Sequence, residues 1–446
     1  MESLIVCLLI STIVYSIIMY KYFVKTKKID TLVVALCMFD IVYGIFPLLL
    51  LFQWYNNIEI FRFVNHFALF DEESVIYILY HYIYAFIGFI MILVGFFSTK
   101  KTSRSIILKN INVTRTQYIA WVSLIIGIVS LVLWSKAYGS IFDLILQANA
   151  VRSGMGSVYN FLAFFKRPAS LLLVTSYLFL SMLLKCKMSG LLIKFLTFFG
   201  LIISVVCSML YLLANDGRLT TVMFLFGFFY LYMLNKKIKH PRTVLLSLPC
   251  VGGIFFCLLS YMDSITYFFR FGIWQTELPG ESIVNKLLYE LFFLPLSGLK
   301  SMYYNWDITQ SYTLGDDLVT GLFAWVPYNL KPDGFSDVWN INTIQIFGDL
   351  NILHGQYPCT LISQCVYDLG LLGVMLICYL FGKGLRLVEC FHDNNSSPLT
   401  MAVYANFILI IMRAVPYFSF YDIMMGLFTI FLLFIIKKCV EIKINY

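Results

Sequence analysis

The chain has 446 residues, 60% of them hydrophobic, 18% aromatic and only 13% charged, with a formal net charge of +8. A charged fraction near half the soluble average of about 25% excludes an ordinary water-soluble domain and implies a polytopic membrane protein. The positive excess sits in connections between apolar runs, which reports membrane orientation and gives no sign of nucleic acid.

The chain opens with MESLIVCLLIST, which has no basic n-region, and its apolar run outlasts a signal h-region. The first helix is therefore expected to remain in the membrane. Apolar runs long enough to span follow at 3–24, 31–54, 75–98, 117–137, 168–184, 191–213, 219–235, 243–262, 359–381, 399–415 and 421–436. These make about 11 transmembrane helices in an all-α polytopic membrane protein. Most of the eleven cysteines, such as Cys7, Cys207, Cys257 and Cys378, fall inside these runs. Neither a disulfide framework nor a zinc site is signalled.

The connections KTKK, TKKTSR, KCK, NKKIKHPR and GKGLR and the terminal KKCVEIK follow the odd-numbered spans. By the positive-inside rule that side is cytoplasmic. The N-terminus is then external, and the long segment between spans 8 and 9 is an external loop. Three parts result: a membrane domain 1–262 with spans 1 to 8, a cap loop 263–358, and a membrane domain 359–446 with spans 9 to 11. The cap contains IVNKLLYELFFLPLSGLKSMYYNW, whose apolar spacing suits helices that lie on or dip into the interface. Its Trp274, Trp306, Trp325 and Trp339 suit stacking on sugar faces, or belt anchoring at the interface.

Basic residues also fall on the external side, against the bias: Arg152, Lys166, Arg167, Arg218, Arg270, Lys286, Lys300, Lys331 and Arg413. They either reach lipid phosphates and pair with Asp143, Asp216, Asp263 and Glu281, or serve an anionic ligand. Arg218 lies in NDGRLTT, a very short connection that confines its guanidinium to the membrane rim, where it can read a phosphate bidentately. Arg270, just beyond span 8, and Arg152, in the small-residue turn VRSG, would complete a pyrophosphate cradle if the three segments converge.

Asp40 and His81 lie at membrane depth, where ionisable groups are costly and are paired or line a cavity. Asp349 and His354 sit on the external lip in GDLNILHGQYP, where either can act as general base toward a substrate hydroxyl. Asp333 and Asp337 are alternative bases, and Asp368, inside span 9, reads as structural. The external segments lack metal-ligand spacing such as H-E-x-x-H, and neither GxxxxGK[ST] nor a strand-borne GxGxxG occurs. Neither a metal nor a cofactor is expected.

Many spans, one large late external loop and an arginine after a tight small-residue turn together resemble the Wzy family of O-antigen and oligosaccharide repeat-unit polymerases. The motifs are NDGR before span 7, VPYNLKP in the cap, and HGQYPCTLISQCVYDLGLLG leading into span 9. The last resembles the family's small-residue, acidic and Phe-Gly-x-x-Gly pattern. Here Gln364 stands where a glutamate is frequent, and Leu369 where an aromatic is common. The resemblance carries over Arg218, Lys331 and His354. It implies a GT-C-like glycosyltransferase at the periplasmic face of the inner membrane of a Gram-negative bacterium. Its donor and acceptor would be undecaprenyl-pyrophosphate-linked oligosaccharides, with a chain-length regulator and a flippase of the same pathway as candidate partners. Two alternatives stay open. An O-antigen ligase shares the topology. A lipid-linked oligosaccharide flippase or carrier is the reading from another class, although such folds usually show two related halves and none is visible here.

Overall fold

A backbone in lipid has no water to pair with, so a chain of this composition crosses a bilayer as helices that satisfy their own polar groups. A computed structural model of the chain describes residues 1–56, 69–100, 113–148, 161–186, 190–215, 218–234, 291–307, 312–313, 315–326, 337–348, 356–393 and 397–443, with isolated positions 264, 268 and 272. Among the described residues there is no strand, only an isolated bridge between Cys359 and Phe418. Among the described residues eight helices are long and apolar enough to cross a membrane, which fits an all-α, multi-pass membrane protein.

In chain order the first elements are α1 (Glu2–Thr26), α2 (Thr31–Tyr55), α3 (Glu72–Ser98), α4 (Val113–Lys136), the short α5 (Ile141–Leu146), α6 (Phe161–Lys185), α7 (Leu191–Ala214) and α8 (Arg218–Leu234). The cap contributes α9 (Phe293–Trp306), α10 (Asp316–Leu322) and α11 (Val338–Phe347). Then come α12 (Leu361–Asp393), α13 (Pro398–Ala414) and α14 (Phe420–Lys443). The expected runs at 219–235 and 399–415 form α8 and α13, each of 17 residues. At about 1.5 Å per residue both fall a little short of a hydrocarbon core of about 30 Å. The run at 243–262 lies outside the described residues.

The most extensive helix pair among the described residues is α3 with α12, and glycines make it. A Cβ on Gly95 would overlap the carbonyl oxygen of Tyr379, and one on Gly382 would overlap that of Ile92. Gly88 similarly faces Ile362, Val374 and Cys378. Without a hydrophobic drive between helices in lipid, such small-residue seams let backbones approach and supply close van der Waals contact.

Span 9 does not run straight from 359 to 381 as expected. Inside α12, Leu369 (φ −149°, ψ 19°) and Gly370 (φ 60°, ψ −138°) leave helical geometry. A Cβ on Gly373 would overlap the carbonyl oxygen of Cys365, eight residues back; in an unbroken helix the two would be about 12 Å apart. The chain therefore folds back: a short arm 361–368 lies against the long arm 371–393. The glycines of D-L-G-L-L-G have separate duties, since Gly370 supplies the left-handed φ and Gly373 the close approach. Because the short arm does not cross, the crossing shifts toward the C-terminus, and GKGLR is helical instead of forming a connection.

Cap helix α9 dips between α3 and α12. Ser74 and Tyr303 hydroxyls meet at 2.9 Å, Ser297 meets Ser363 at 3.1 Å, and a Cβ on Gly298 would stand 2.6 Å from the His81 ring. His81 is thus packed beneath a cap helix and serves that contact. Asp40, just before a π-helical turn at Ile41–Ile45 of α2, accepts the Ser16 hydroxyl at 2.5 Å and ties α2 to α1. At the far end of the bundle two buried carboxylates join helices: Asp30 accepts from Tyr22 (2.7 Å), while Glu389 accepts from Tyr404 (2.6 Å) and from the Thr31 amide (3.3 Å). Burial raises the Asp30 pKa, an effect opposed by the Tyr22 hydrogen bond.

Candidate functional site

At the cap end α6 begins, α7 ends, α8 begins, α13 ends and α14 begins. These ends are neighbours because α6 packs on the other four helices. The turns between them are short, so side chains that flank them are gathered without any loop to place them.

Two arginines come together there. Arg167, at the start of α6, is 7% exposed; its guanidinium lies 4.8 Å from the Phe164 ring centre and faces Tyr421 of α14. Its Nη1 is buried and has no hydrogen-bond partner among the described residues. Arg413, in the last turn of α13, donates from Nη2 to Asp422 Oδ2 at 2.6 Å, and its Nε is buried without a partner among the described residues. Tyr211, near the end of α7, lies in the field of Arg413, Tyr421 and Asp422. A continuous set, Arg167, Tyr421, Asp422 and Arg413, therefore crosses three helix ends. A buried donor left unmade costs the desolvation of that group, and a guanidinium can serve two oxygens of one anion. The arrangement has unused capacity for an oxyanion.

Beside it stands a group of carboxylates. Asp317 of α10 is fully buried; its Oδ2 accepts the Phe420 amide at 3.0 Å, which pins the cap to the first turn of α14. Burial raises its pKa well above the usual carboxylate value, and the negative charges of Asp337, Asp368 and Asp422 add to this. Trp325 and Trp339 pin the cap in the same way, donating from Nε1 to the carbonyls of Met424 (2.8 Å) and Phe418 (2.7 Å). These two rings are structural anchors. Trp306 is 41% exposed and packs on Tyr77 and Tyr80, and Trp274 lies outside the described residues.

Asp368, expected from sequence to be structural, is held by two side chains. It ends the short arm of α12, beside the Gly370 turn. Thr313 donates to its Oδ1 at 2.6 Å, and the Gln364 amide to its Oδ2 at 3.2 Å. Gln364 thus holds the carboxylate of the residue one turn later. The oxygens Gln364 Oε1, Asp317 Oδ1 and Asn305 Oδ1 are buried with no partner among the described residues. Where the arginines leave donors unpaired, this side leaves acceptors unpaired.

Asp317 sets a pH dependence with a defined sign. Its folded pKa lies above that of the unfolded chain, about 3.9, so its contribution to stability is complete below that value and is lost as pH rises through the folded pKa. Asp317→Asn mimics the neutral acid and keeps an acceptor for the Phe420 amide. The variant is expected to lose less thermal stability than the parent between pH 5 and 9 in detergent; parallel profiles would show that Asp317 is not the titrating group.

Of the residues selected from sequence, Arg152, Arg270, Lys331, Asp349 and His354 lie outside the described residues, as does Asp333. Arg218 begins α8 at this same end, with its side chain outside the description. Asp337 caps α11, accepting the Trp339 amide at 3.0 Å. Lys166 lies 5.8 Å from the Trp134 ring centre, and half-buried Lys300, its pKa lowered by burial, lies 5.8 Å from that of Tyr303. Arg167 and Arg413 were visible only as two external cations among many. Asp317 in LGDDLVT carried no signal beyond its acidity. Among the described residues no group of three or more His, Cys, Asp or Glu is placed to hold a metal ion. Comparison of the chain with protein-family models, with curated proteins and with solved structures finds no match.

Proposed function

We propose that this chain is a glycosyltransferase that polymerises undecaprenyl-pyrophosphate-linked repeat units into O-antigen polysaccharide at the periplasmic face of a bacterial inner membrane. The observation that carries the reading is a pair of guanidinium groups at the cap end of the bundle, buried Arg167 and half-buried Arg413, each with one buried nitrogen unpartnered among the described residues. Negative charge develops on a departing pyrophosphate, and fixed cations in a partly dry site stabilise it far better than water does. By the positive-inside rule, lysine-rich connections at the opposite end support a cytoplasmic location for that end and a periplasmic one for the arginines. Arg218 begins α8 among the same helix ends and would add a third cation. The substrate supplies its own driving force, because the pyrophosphate leaves as the new glycosidic bond forms.

A flippase for the same lipid-linked glycan is the second reading, and the broken α12 favours it, since discontinuous helices recur in secondary transporters. A ligase shares the chemistry of the first reading. A clean deletion followed by gel analysis of lipopolysaccharide separates them. The ladder is expected to collapse to core plus one repeat unit; loss of every unit, the first included, would mean a flippase or a ligase.

A further inference from the structure

The unpaired acceptors beside the Gly370 turn ask for donors. A Cβ on Gly370 would stand 2.7 Å from Asn305 Oδ1 and 3.1 Å from the Tyr312 hydroxyl, so these two side chains frame the turn from the cap side. Tyr312 is 45% exposed, so the group reaches the surface at its ring. Directly beneath the turn Asp368 is 2% exposed, and Gln364, with its free Oε1, is fully buried. Asp317, also fully buried, contributes a third free acceptor within the electrostatic reach of Asp368. Buried acceptors without partners are costly, and each asks for a donor that the protein itself does not supply.

We propose that Asp368, Gln364 and Asn305 form the acceptor subsite, which takes vicinal hydroxyls of a sugar, and that Asp368 is the general base of the transfer. The inference rests on the glycosyltransferase reading above. The acceptor hydroxyl oxygen bonds to the anomeric carbon of the donor. The bond from that carbon to the pyrophosphate oxygen breaks, its electron pair leaves with pyrophosphate, and the hydroxyl proton passes to the Asp368 carboxylate. Thr313 and Gln364 are positioning residues: each donates to one carboxylate oxygen, the Gly315 amide adds a third donor, and of the carboxylate's four lone-pair sites one is left for the incoming proton. Asn305 Oδ1 and Gln364 Oε1 accept the neighbouring hydroxyls. Tyr312 offers its exposed ring to the apolar face of the sugar. Asp422 is excluded from the base role because Arg413 already holds its carboxylate. The two halves of the site are thereby sorted by hydrogen-bond sign, with donors for the pyrophosphate and acceptors for the nucleophile.

The test uses the full chain reconstituted in lipid nanodiscs. Two probes are supplied: undecaprenyl pyrophosphate, whose binding reads the arginine half alone, and lipid-linked repeat unit purified from the deletion strain, whose conversion reads the whole site. Asp368→Asn is expected to bind undecaprenyl pyrophosphate within about twofold of the parent while its kcat falls by about 10² to 10⁴-fold, the usual contribution of a general base. Asp368→Ala is expected to regain part of that loss in added formate, a rescue that a structural role would not give. Thr313→Val, which removes one hydrogen bond to the carboxylate and leaves every residue of the short arm unchanged, is expected to lower kcat about tenfold with KM for the repeat unit unchanged. A parental kcat for Asp368→Asn overturns the inference and leaves the glycosyltransferase reading standing. If that variant does not insert, a parental kcat for Thr313→Val overturns it alone. Failure of the parent to bind undecaprenyl pyrophosphate or to convert the repeat unit overturns the reading beneath it.

Discussion

Arg167→Ala is expected to reduce polymer synthesis by about 10² to 10³-fold while the protein still inserts at the normal level; the range is that of removing one preorganised donor from a developing oxyanion. Arg167 is 7% exposed, rests on the Phe164 ring and faces Tyr421, so its guanidinium is fixed before any ligand arrives. Its backbone carbonyl, which accepts the Ser170 hydroxyl at 2.6 Å, is untouched by the substitution, so the start of α6 should persist. Arg167→Lys keeps the charge but loses both the planar stacking and the two-oxygen fork, and should recover only part of the activity. Arg413→Ala should be at least as damaging, with an added structural component, because it strands the Asp422 carboxylate that it now binds at 2.6 Å. The measurements are the polysaccharide ladder in cells and the single-turnover rate in nanodiscs. A normal ladder from Arg167→Ala would remove the guanidinium pair from the site and with it the main support for a pyrophosphate donor.

The largest expected effect on stability separates two glycines that stand two residues apart. A Cβ on Gly382 would overlap the backbone carbonyl of Ile92, which no side-chain rotation can relieve. Gly382→Ala should force α3 and α12 apart and destabilise by about 3 kcal/mol, the upper part of the usual range for over-packing. Gly384 has nothing within 4 Å of the corresponding point. Gly384→Ala should therefore be neutral or stabilising by up to about 1 kcal/mol, since alanine restricts the unfolded chain and favours the helix. Thermal midpoints of the two variants in detergent decide the matter. Equal midpoints would mean that the seam between α3 and α12 is not the close backbone contact described above. Gly95→Ala, aimed at the same seam from the other helix, should behave like Gly382→Ala.

Helix content and the multi-pass character were legible in the residues alone, because an apolar run of sufficient length and the absence of water along it are local properties. The expected ends of α1, α2, α3, α4 and α7 differ from the observed ones by no more than a few residues for the same reason. The fold-back of α12 was not legible. Both of its arms are apolar, and the dipeptide Leu369-Gly370 becomes a turn only because Cys365 and Gly373 have somewhere to meet. Nor was the descent of α9 onto His81 legible, since a stretch such as LPLSGLK suits an interface equally well until Gly298 is seen to be the one residue small enough for the ring beneath it.

The site divides along the same line. That arginines and acids would stand on one side of a membrane followed from charge and span length. Which of them share a centre depended on which helix ends are neighbours, and that is set by the packing of α6 against α7, α8, α13 and α14. Arg167 and Arg413 are 246 positions apart in the chain, and Asp317 draws its character from burial and from the charges of Asp337, Asp368 and Asp422. The amino-acid sequence by itself determined that this chain is a bundle of membrane helices. Only the tertiary structure decided which charged groups meet and which are left unpaired, because local hydrophobicity acts along the chain while electrostatic pairing acts across it.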